Sequence, residues 1–303
     1  MTPPQKKIHA VLVATDFSRG SESALRRALH LPLAAGAKLC LLHVLPREMP
    51  QELRAVAENR ARRHLRQWAD RARQAAGTAG SPRWRLATKL AFGKPPVEIV
   101  RAARLLGADL VLVGRQGATP LRGRRIGATA IRVIREGDIP VLVVSRRPRG
   151  PYQRPLVAIP LEDTARAILD LALRVLGAPA APIPVVHAYW PPFDSAALAS
   201  LPPREVSRYH RDLKRQAEAD LNRTLAALSS QPGRWLRVAQ RGDPRTVVLE
   251  EARRRRSDLI VVGTHARSGL AHVLLGSVAE WLIRSAPCDV LVARPARFSF
   301  ALP

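Results

Sequence analysis

Cysteine is almost absent from this chain: Cys40, inside an apolar run, and Cys288, just before one, are the only two in 303 residues. Two such residues build neither a disulfide framework nor a thiolate metal site, and both read as small core side chains. Aromatic residues make up 4%, which disfavours a stacking platform for single-stranded nucleic acid. No apolar run approaches the roughly 18 to 20 residues that span a bilayer. Met1-Thr2-Pro3-Pro4-Gln5-Lys6-Lys7 leads into a strand-like run without the marks of a signal peptide. The expectation is a cytoplasmic protein without a membrane contact. Catalytic signatures are missing as well: there is no Gly-x4-Gly-Lys-Ser/Thr, no Gly-x-Ser-x-Gly and no His-Glu-x-x-His. The eight histidines are scattered, and His43 and His187 fall at matching points of the two halves, as a shared structural position would.

Lysine and acid are also scarce. Fifty Lys+Arg stand against 24 Asp+Glu, a net charge of +26, and all but six of the fifty are arginine. Residues 1–150 carry 29 basic against 10 acidic residues and residues 151–303 carry 21 against 14, so most of the excess lies in the first half. Such a surface attracts polyanions non-specifically. Arg60, Arg62, Arg63, Arg66, Arg71 and Arg73 share one long helical stretch, where a solvated face explains them, and dedicated nucleic-acid binding is disfavoured.

What is present is a glycine-punctuated stretch written twice. Gly114-Arg115-Gln116-Gly117 runs on to Gly127-Ala128, and 149 residues later Gly263-Thr264-His265-Ala266 runs on to Gly276-Ser277. Each copy follows an apolar run (Asp109 to Val113, Asp258 to Val262) and precedes another (Pro140 to Val144, Asp289 to Ala293). Strand, glycine loop, helix start and strand is how an α/β fold offers backbone N–H groups to a phosphate. Charge, proline and glycine replace the apolar pattern in Arg146 to Pro155, which places a boundary near residue 150 and two domains at 1–150 and 151–303.

Within the first half, Ile8 to Ala14 reads as a strand ending at Thr15-Asp16-Phe17-Ser18. Helical spacing follows through Ala24, Leu25, Ala28 and Leu29, with Gly36 closing the segment. Lys38 to Leu45 is a second strand, Gln51 to Ala76 an Arg-rich amphipathic helix and Trp84 to Leu90 a third strand. Gly93-Lys94-Pro95-Pro96 opens another helix. In the second half Leu156 to Pro160, Pro184 to Ala188 and Leu236 to Gln240 read as the first three strands, and Gly242-Asp243-Pro244 repeats the turn. A loop from Tyr189 to Pro203 is longer than its counterpart. Alternating strands and helices imply a parallel sheet covered on both faces.

The spacing Gly-x2-Gly-x9-Gly-Ser/Thr between two strands, Val13-Ala14-Thr15-Asp16-Phe17-Ser18, Leu42-His43-Val44 and the Gly-x-Pro turns at Gly93 and Gly242 together resemble the universal stress protein family, as a tandem covering nearly the whole chain. The resemblance implies two doubly wound α/β domains, each a five-stranded parallel sheet in the order 3-2-1-4-5, often paired through the last strand into a dimer or, in tandem chains, a pseudo-dimer. Some members bind ATP and others do not. For binders it implies a nucleotide site made here by Asp16, Val44, Gly114, Gly117, Gly127, Ala128 and Thr129, and a weaker one made by Gly263, His265, Gly276 and Ser277. Strands 1 and 4 flank the topological switch point of such a sheet, where ligands of open α/β sheets bind.

Neither half keeps the full set. Ala128 stands where Ser or Thr is expected, with Thr129 next to it, although Arg115, Arg122, Arg124 and Arg125 are at hand for phosphate contacts. Ala266 replaces a glycine, and Pro160 falls near the position of the strand-1 Asp, with Glu162 and Asp163 displaced along the loop. Ser277 is placed to hydrogen-bond a phosphate or to cap the helix that follows. The resulting expectation is a tandem stress protein that binds ATP or a related nucleotide, with or without Mg²⁺, better in the first half. The alternative is a nucleotide-free module acting through contacts with a protein partner. No catalytic residue is assigned, and slow ATP hydrolysis is the most that the resemblance implies.

Overall fold

The computed structural model describes residues 7–77, 84–117, 126–162, 164–177, 181–190, 201–228, 234–264 and 275–294. The first half runs β1 (Ile8–Thr15), α1 (Arg19–Leu29), β2 (Leu33–Leu45), α2 (Gln51–Gly77), β3 (Trp84–Phe92), α3 (Pro95–Leu106), β4 (Leu110–Gly114), α4 (Ala128–Glu136) and β5 (Val141–Val144). The second runs β6 (Pro155–Ala158), α5 (Thr164–Leu176), β7 (Ile183–Tyr189), α6 (Pro203–Leu228), β8 (Trp235–Arg241), α7 (Pro244–Arg254), β9 (Leu259–Gly263), α8 (Ser277–Ser285) and β10 (Asp289–Ala293). The two units do not carry separate sheets. Their strands form one ten-stranded sheet, β3-β2-β1-β4-β5-β10-β9-β6-β7-β8, in which each half keeps the order 3-2-1-4-5.

The join is antiparallel. Val143 pairs with Val290, Leu142 with Leu291 and Val141 with Val292, while pairing within each half is parallel. Side chains alternate across the sheet, so Val141, Val143, Val290 and Val292 enter the core on one face and Leu142 and Leu291 the core on the other. Both cores therefore run without a break from one half into the other. Edge-to-edge pairing also covers the two strand edges that would otherwise be open.

Charged side chains tie the halves together. Arg27 of α1 and Arg174 of α5 stand at matching helix ends, and each reaches into the other half: Arg27 Nε lies 3.3 Å from Asp289 Oδ2 and Arg174 Nη2 2.5 Å from Asp109 Oδ1. Asp109 and its repeat Asp258 also accept backbone N–H groups at the start of a first strand, from His9 and Ala10 and from Gln153 and Arg154. A carboxylate at the start of strand 4 thus anchors strand 1 twice over.

Local conformation departs from the sequence expectation in two places. Gly36 does not close a helix: α1 stops at Leu29, β2 begins at Leu33, and Gly36 lies inside it at φ +74°, where the register with β1 shifts between Ile8 and Ala10. A left-handed glycine there absorbs extra residues as a bulge. Gly93 and Gly242, at φ +148° and +139°, do need glycine, and their N–H groups bond back to the last carbonyls of β2 and β7 (Leu45 O at 2.9 Å, Tyr189 O at 3.0 Å).

The repeat is uneven just beyond α3 and α7. Gly107 takes φ +64° at the first position, whereas Arg256 is forced to +51° at the second. A left-handed non-glycine residue costs on the order of 1 kcal/mol. Arg256→Gly should therefore stabilise the chain by about 1 kcal/mol, read as a raised urea midpoint at unchanged slope; no change would show that the site carries no strain.

Candidate functional site

The switch point of each half opens a cleft at the carboxyl ends of strands 1 and 4. In the first half the loop after β1 is held by its own side chains. Phe17 N donates to Thr15 Oγ1 at 3.0 Å. Asp16 Oδ1 accepts from Ser18 N at 3.1 Å, Ser18 Oγ at 2.6 Å and Ser21 Oγ at 2.9 Å. Ser18 caps α1 by accepting from Ser21 N. Phe17 pays for this turn with φ +61°, an outlier for a bulky side chain. Its ring is wedged among His43, His64 and Trp68, with centroids at 4.4, 5.0 and 5.5 Å. Packing thus locks the conformation that points the Asp16 carboxylate across the cleft.

Gly114, Gly117 and Gly263 of the repeated stretch serve close approach. Among its described glycines, Gly114, Gly117, Gly127, Gly263 and Gly276, none takes a positive φ. A Cβ on Gly114 would sit 2.5 Å from the Gly20 carbonyl carbon, and one on Gly20 would sit 2.1 Å from the Gln116 oxygen, so the two loops interlock backbone to backbone. A Cβ on Gly117 would lie 2.7 Å from Asp16 Oδ2. The strand-1 carboxylate and the glycine loop therefore face each other, as the topology demands. Gly127 N closes the loop on Arg115 O at 2.8 Å.

Around this point lies a cavity of about 140 Å³ that Asp16, His43, Val44, Gly117, Gly127 and Thr129 help to line. Gly114 lines it too; Ala128 opens α4 beside it. The second cleft is larger, about 480 Å³, and is bordered by Pro160, Glu162, His187, Gly263, Thr264 and Val278. Gly263 lies where its Cβ would strike Ile168 Cδ1 at 2.7 Å, so this glycine makes room for a side chain of α5.

Two expectations need correction. Ser277 does not cap its helix: Gly276 is the capping residue, Ser277 is the first helical position, and no side-chain hydrogen bond closes that terminus; Gly127 and Ala128 repeat the arrangement. A residue one place inside the helix cannot return its hydroxyl to the N–H groups that a cap serves. Arg115 is drawn away from the phosphate loop, with Nη1 donating to Ala286 O at 2.7 Å and Nη2 to Arg284 O at 2.5 Å, the carbonyls at the end of α8 in the other half. A guanidinium there is favoured by unpaired helix-terminal carbonyls. His265, Ala266, Asp163, Arg122, Arg124 and Arg125, and most of the long loop after Tyr189, lie outside the described residues.

His43 and His187 are equivalent in space as in sequence. Their Nδ1 atoms sit 2.7 Å from Thr15 O and 3.2 Å from Ile159 O, at the ends of β1 and β6. Burial, the largest influence on both, holds the two imidazoles below the usual value of 6.5 despite the carbonyl contact. The unfolded chain takes up these protons as pH drops through 6.5, whereas the folded chain resists them. Stability contributed above that point should fall as pH falls below it, before the carboxylates titrate near pH 4. The urea midpoint should drop from pH 7.5 to 5.5, and His43→Asn with His187→Asn should flatten that slope; an unchanged slope would contradict the assignment.

Among the described residues no helix is long and apolar enough to cross a membrane, and no three His, Cys, Asp or Glu side chains gather as metal ligands. The architecture is that of a duplicated doubly wound α/β protein with a cleft at each switch point. Family comparison is consistent with it: the model of the universal stress protein family matches residues 7–145 and again 151–294, and the chain belongs to that family as a tandem member. It is 25% identical to a universal stress protein of Mycobacterium tuberculosis H37Rv, over 97% of this chain and 99% of that one. With one from Mycolicibacterium smegmatis it shares 24% over 95% and 97%. A solved universal stress protein from Archaeoglobus fulgidus has the same fold, at a TM-score of 0.67 and 18% identity, covering 95% of this chain and 99% of that one.

Proposed function

We propose that this chain is a cytoplasmic stress-response protein of two units, 1–150 and 151–303, that binds ATP or a related nucleotide in the cleft of the first. The observation that carries the reading is the Asp16 carboxylate set against Gly117 across the switch point, with its turn fixed by three hydrogen bonds and an aromatic cluster. A carboxylate is the acceptor that sugar hydroxyls call for, and a glycine loop leading into α4 offers N–H groups and the positive end of a helix dipole to phosphates. The residues assigned are Asp16, Val44, Gly114, Gly117, Gly127, Ala128 and Thr129. At about 140 Å³ the cavity is below the roughly 300–1,000 Å³ that enclose a whole ligand. It would hold part of the nucleoside and leave the phosphates along Gly117 and Gly127. Any Mg²⁺ would arrive with those phosphates.

The roomier second cleft favours a second reading, in which the nucleotide occupies that half, at Gly263, His265, Gly276 and Ser277. Pro160 supplies no carboxylate there, and we place it second. Calorimetric titration of the full chain with ATP decides. Asp16→Ala should weaken binding roughly 10- to 150-fold, the worth of hydrogen bonds to a charged group. Unchanged binding would move the site to the second half, and no heat from the unmodified chain would leave a nucleotide-free module acting on a protein partner.

A further inference from the structure

Away from both clefts, the linker between the halves walls a cavity of about 700 Å³. Six arginines line it, Arg27, Arg146, Arg147, Arg149, Arg154 and Arg256, against two acids, Asp258 and Asp289. Both acids are already engaged. Asp289 accepts from Ser145 N, Tyr152 Oη and Arg27 Nε, and Asp258 accepts the Gln153 and Arg154 N–H groups. Arg27 is buried on Asp289, Gly150 O and the Tyr152 ring, and Arg154 Nε donates to Arg256 O. Among the described residues no side-chain hydrogen bond or ion pair holds Arg146, Arg147, Arg149 or Arg256, and all four are exposed at one cavity. Ser257, buried in the same wall, has a hydroxyl with no hydrogen-bond partner among those residues.

Like charges gathered in a concavity repel one another, and a multiply charged anion relieves that repulsion. The linker is pinned through Gly150 O, the Tyr152 hydroxyl and the Gln153 and Arg154 N–H groups, so the chain positions of its arginines around the cavity are set before any ligand arrives. Guanidinium forks match phosphate oxygens two at a time, and the volume suits a small molecule. An extended duplex would need a broad basic face rather than a concave pocket, and Tyr152, the one aromatic residue in the linker, is committed to Arg27.

We propose that this seam cavity is a binding site for a small polyphosphate anion, held by Arg146, Arg147, Arg149 and Arg256 and separate from the nucleotide cleft. The anion is inorganic polyphosphate or the phosphate chain of a nucleotide, since either presents the same oxygens. Titration of the full chain with inorganic tripolyphosphate tests it. One ion should bind per chain, more weakly as salt rises. Arg147→Gln with Arg149→Gln should lower the affinity at least about tenfold, whereas Asp16→Ala should leave it unchanged. In Asp16→Ala, ATP should displace tripolyphosphate and adenosine should not.

Tripolyphosphate binding that survives the double variant, or that is lost with Asp16→Ala, overturns the proposal; so does displacement by adenosine. Equal competition by a duplex DNA oligonucleotide at matched phosphate concentration would show a non-specific basic surface, and that also overturns it. Both arginines are exposed, and unchanged circular dichroism and thermal midpoint establish that the double variant is folded. Should it unfold, Arg149→Gln alone, with a severalfold loss expected, serves in its place.

Discussion

Asp289→Ala should destabilise the chain by about 3–5 kcal/mol, the usual result of removing one partner of a buried ion pair. Asp289 is 2% exposed and Arg27 6%. Its carboxylate collects Ser145 N at 2.8 Å, Tyr152 Oη at 2.8 Å and Arg27 Nε at 3.3 Å. Tyr152 remains a donor, since burial and the neighbouring carboxylate push its phenol well above 10. Truncation leaves a buried guanidinium without its charge partner and a buried hydroxyl without its acceptor. Restoring neutrality with Arg27→Met in the same chain should recover much of the loss, because the penalty lies chiefly in the orphaned charge. Urea unfolding of the two single variants and the double one measures this. A loss below about 1 kcal/mol for Asp289→Ala would show that the seam does not depend on the pair.

Leu291→Ala should destabilise by about 2–5 kcal/mol, the range for emptying a fully buried leucine position. Leu291 and its cross-strand partner Leu142 are both 0% exposed and meet where the two halves join. Two sheets fused edge to edge cannot close in on a cavity without shifting the antiparallel register, so the upper part of the range is expected. Leu142→Ala should cost a similar amount, and the double variant should depart from additivity by about 0.5–3 kcal/mol, as contacting residues do. Additive losses would mean that the two leucines do not share one packed site across the seam.

Much of the fold was legible in the sequence because the signals involved are short-ranged. Apolar runs of strand length, 3.6-residue spacing and Gly-x-Pro turns report physics that acts over a few residues. They marked the elements and the repeat that places Gly93 over Gly242 and Asp109 over Asp258. Errors fell where tertiary contact overrides local preference. Gly36 reads as a helix stop by composition, yet β2 reaches back past it to pair with Ile8. At the site, the family resemblance pointed to Asp16 and the glycines but not to the work each does. Nothing in Gly114-Arg115-Gln116-Gly117 says that Gly114 makes room for Gly20, or that Arg115 turns to carbonyls 169 and 171 residues away.

The sequence by itself determined a duplicated α/β chain with a strand-1 carboxylate in the first half and none at the matching place in the second, because pattern and residue identity need no partner to be read. The tertiary structure alone decided that β5 and β10 join two sheets into one, and that Arg27 and Arg174 each serve the other half. It also decided that the second cleft is the larger and that Arg256 joins three linker arginines at one cavity. These depend on which edges and helix ends docking brings together, and the partners lie 65 residues apart (Arg174 and Asp109) or as many as 262 (Arg27 and Asp289), far beyond the reach of any local preference.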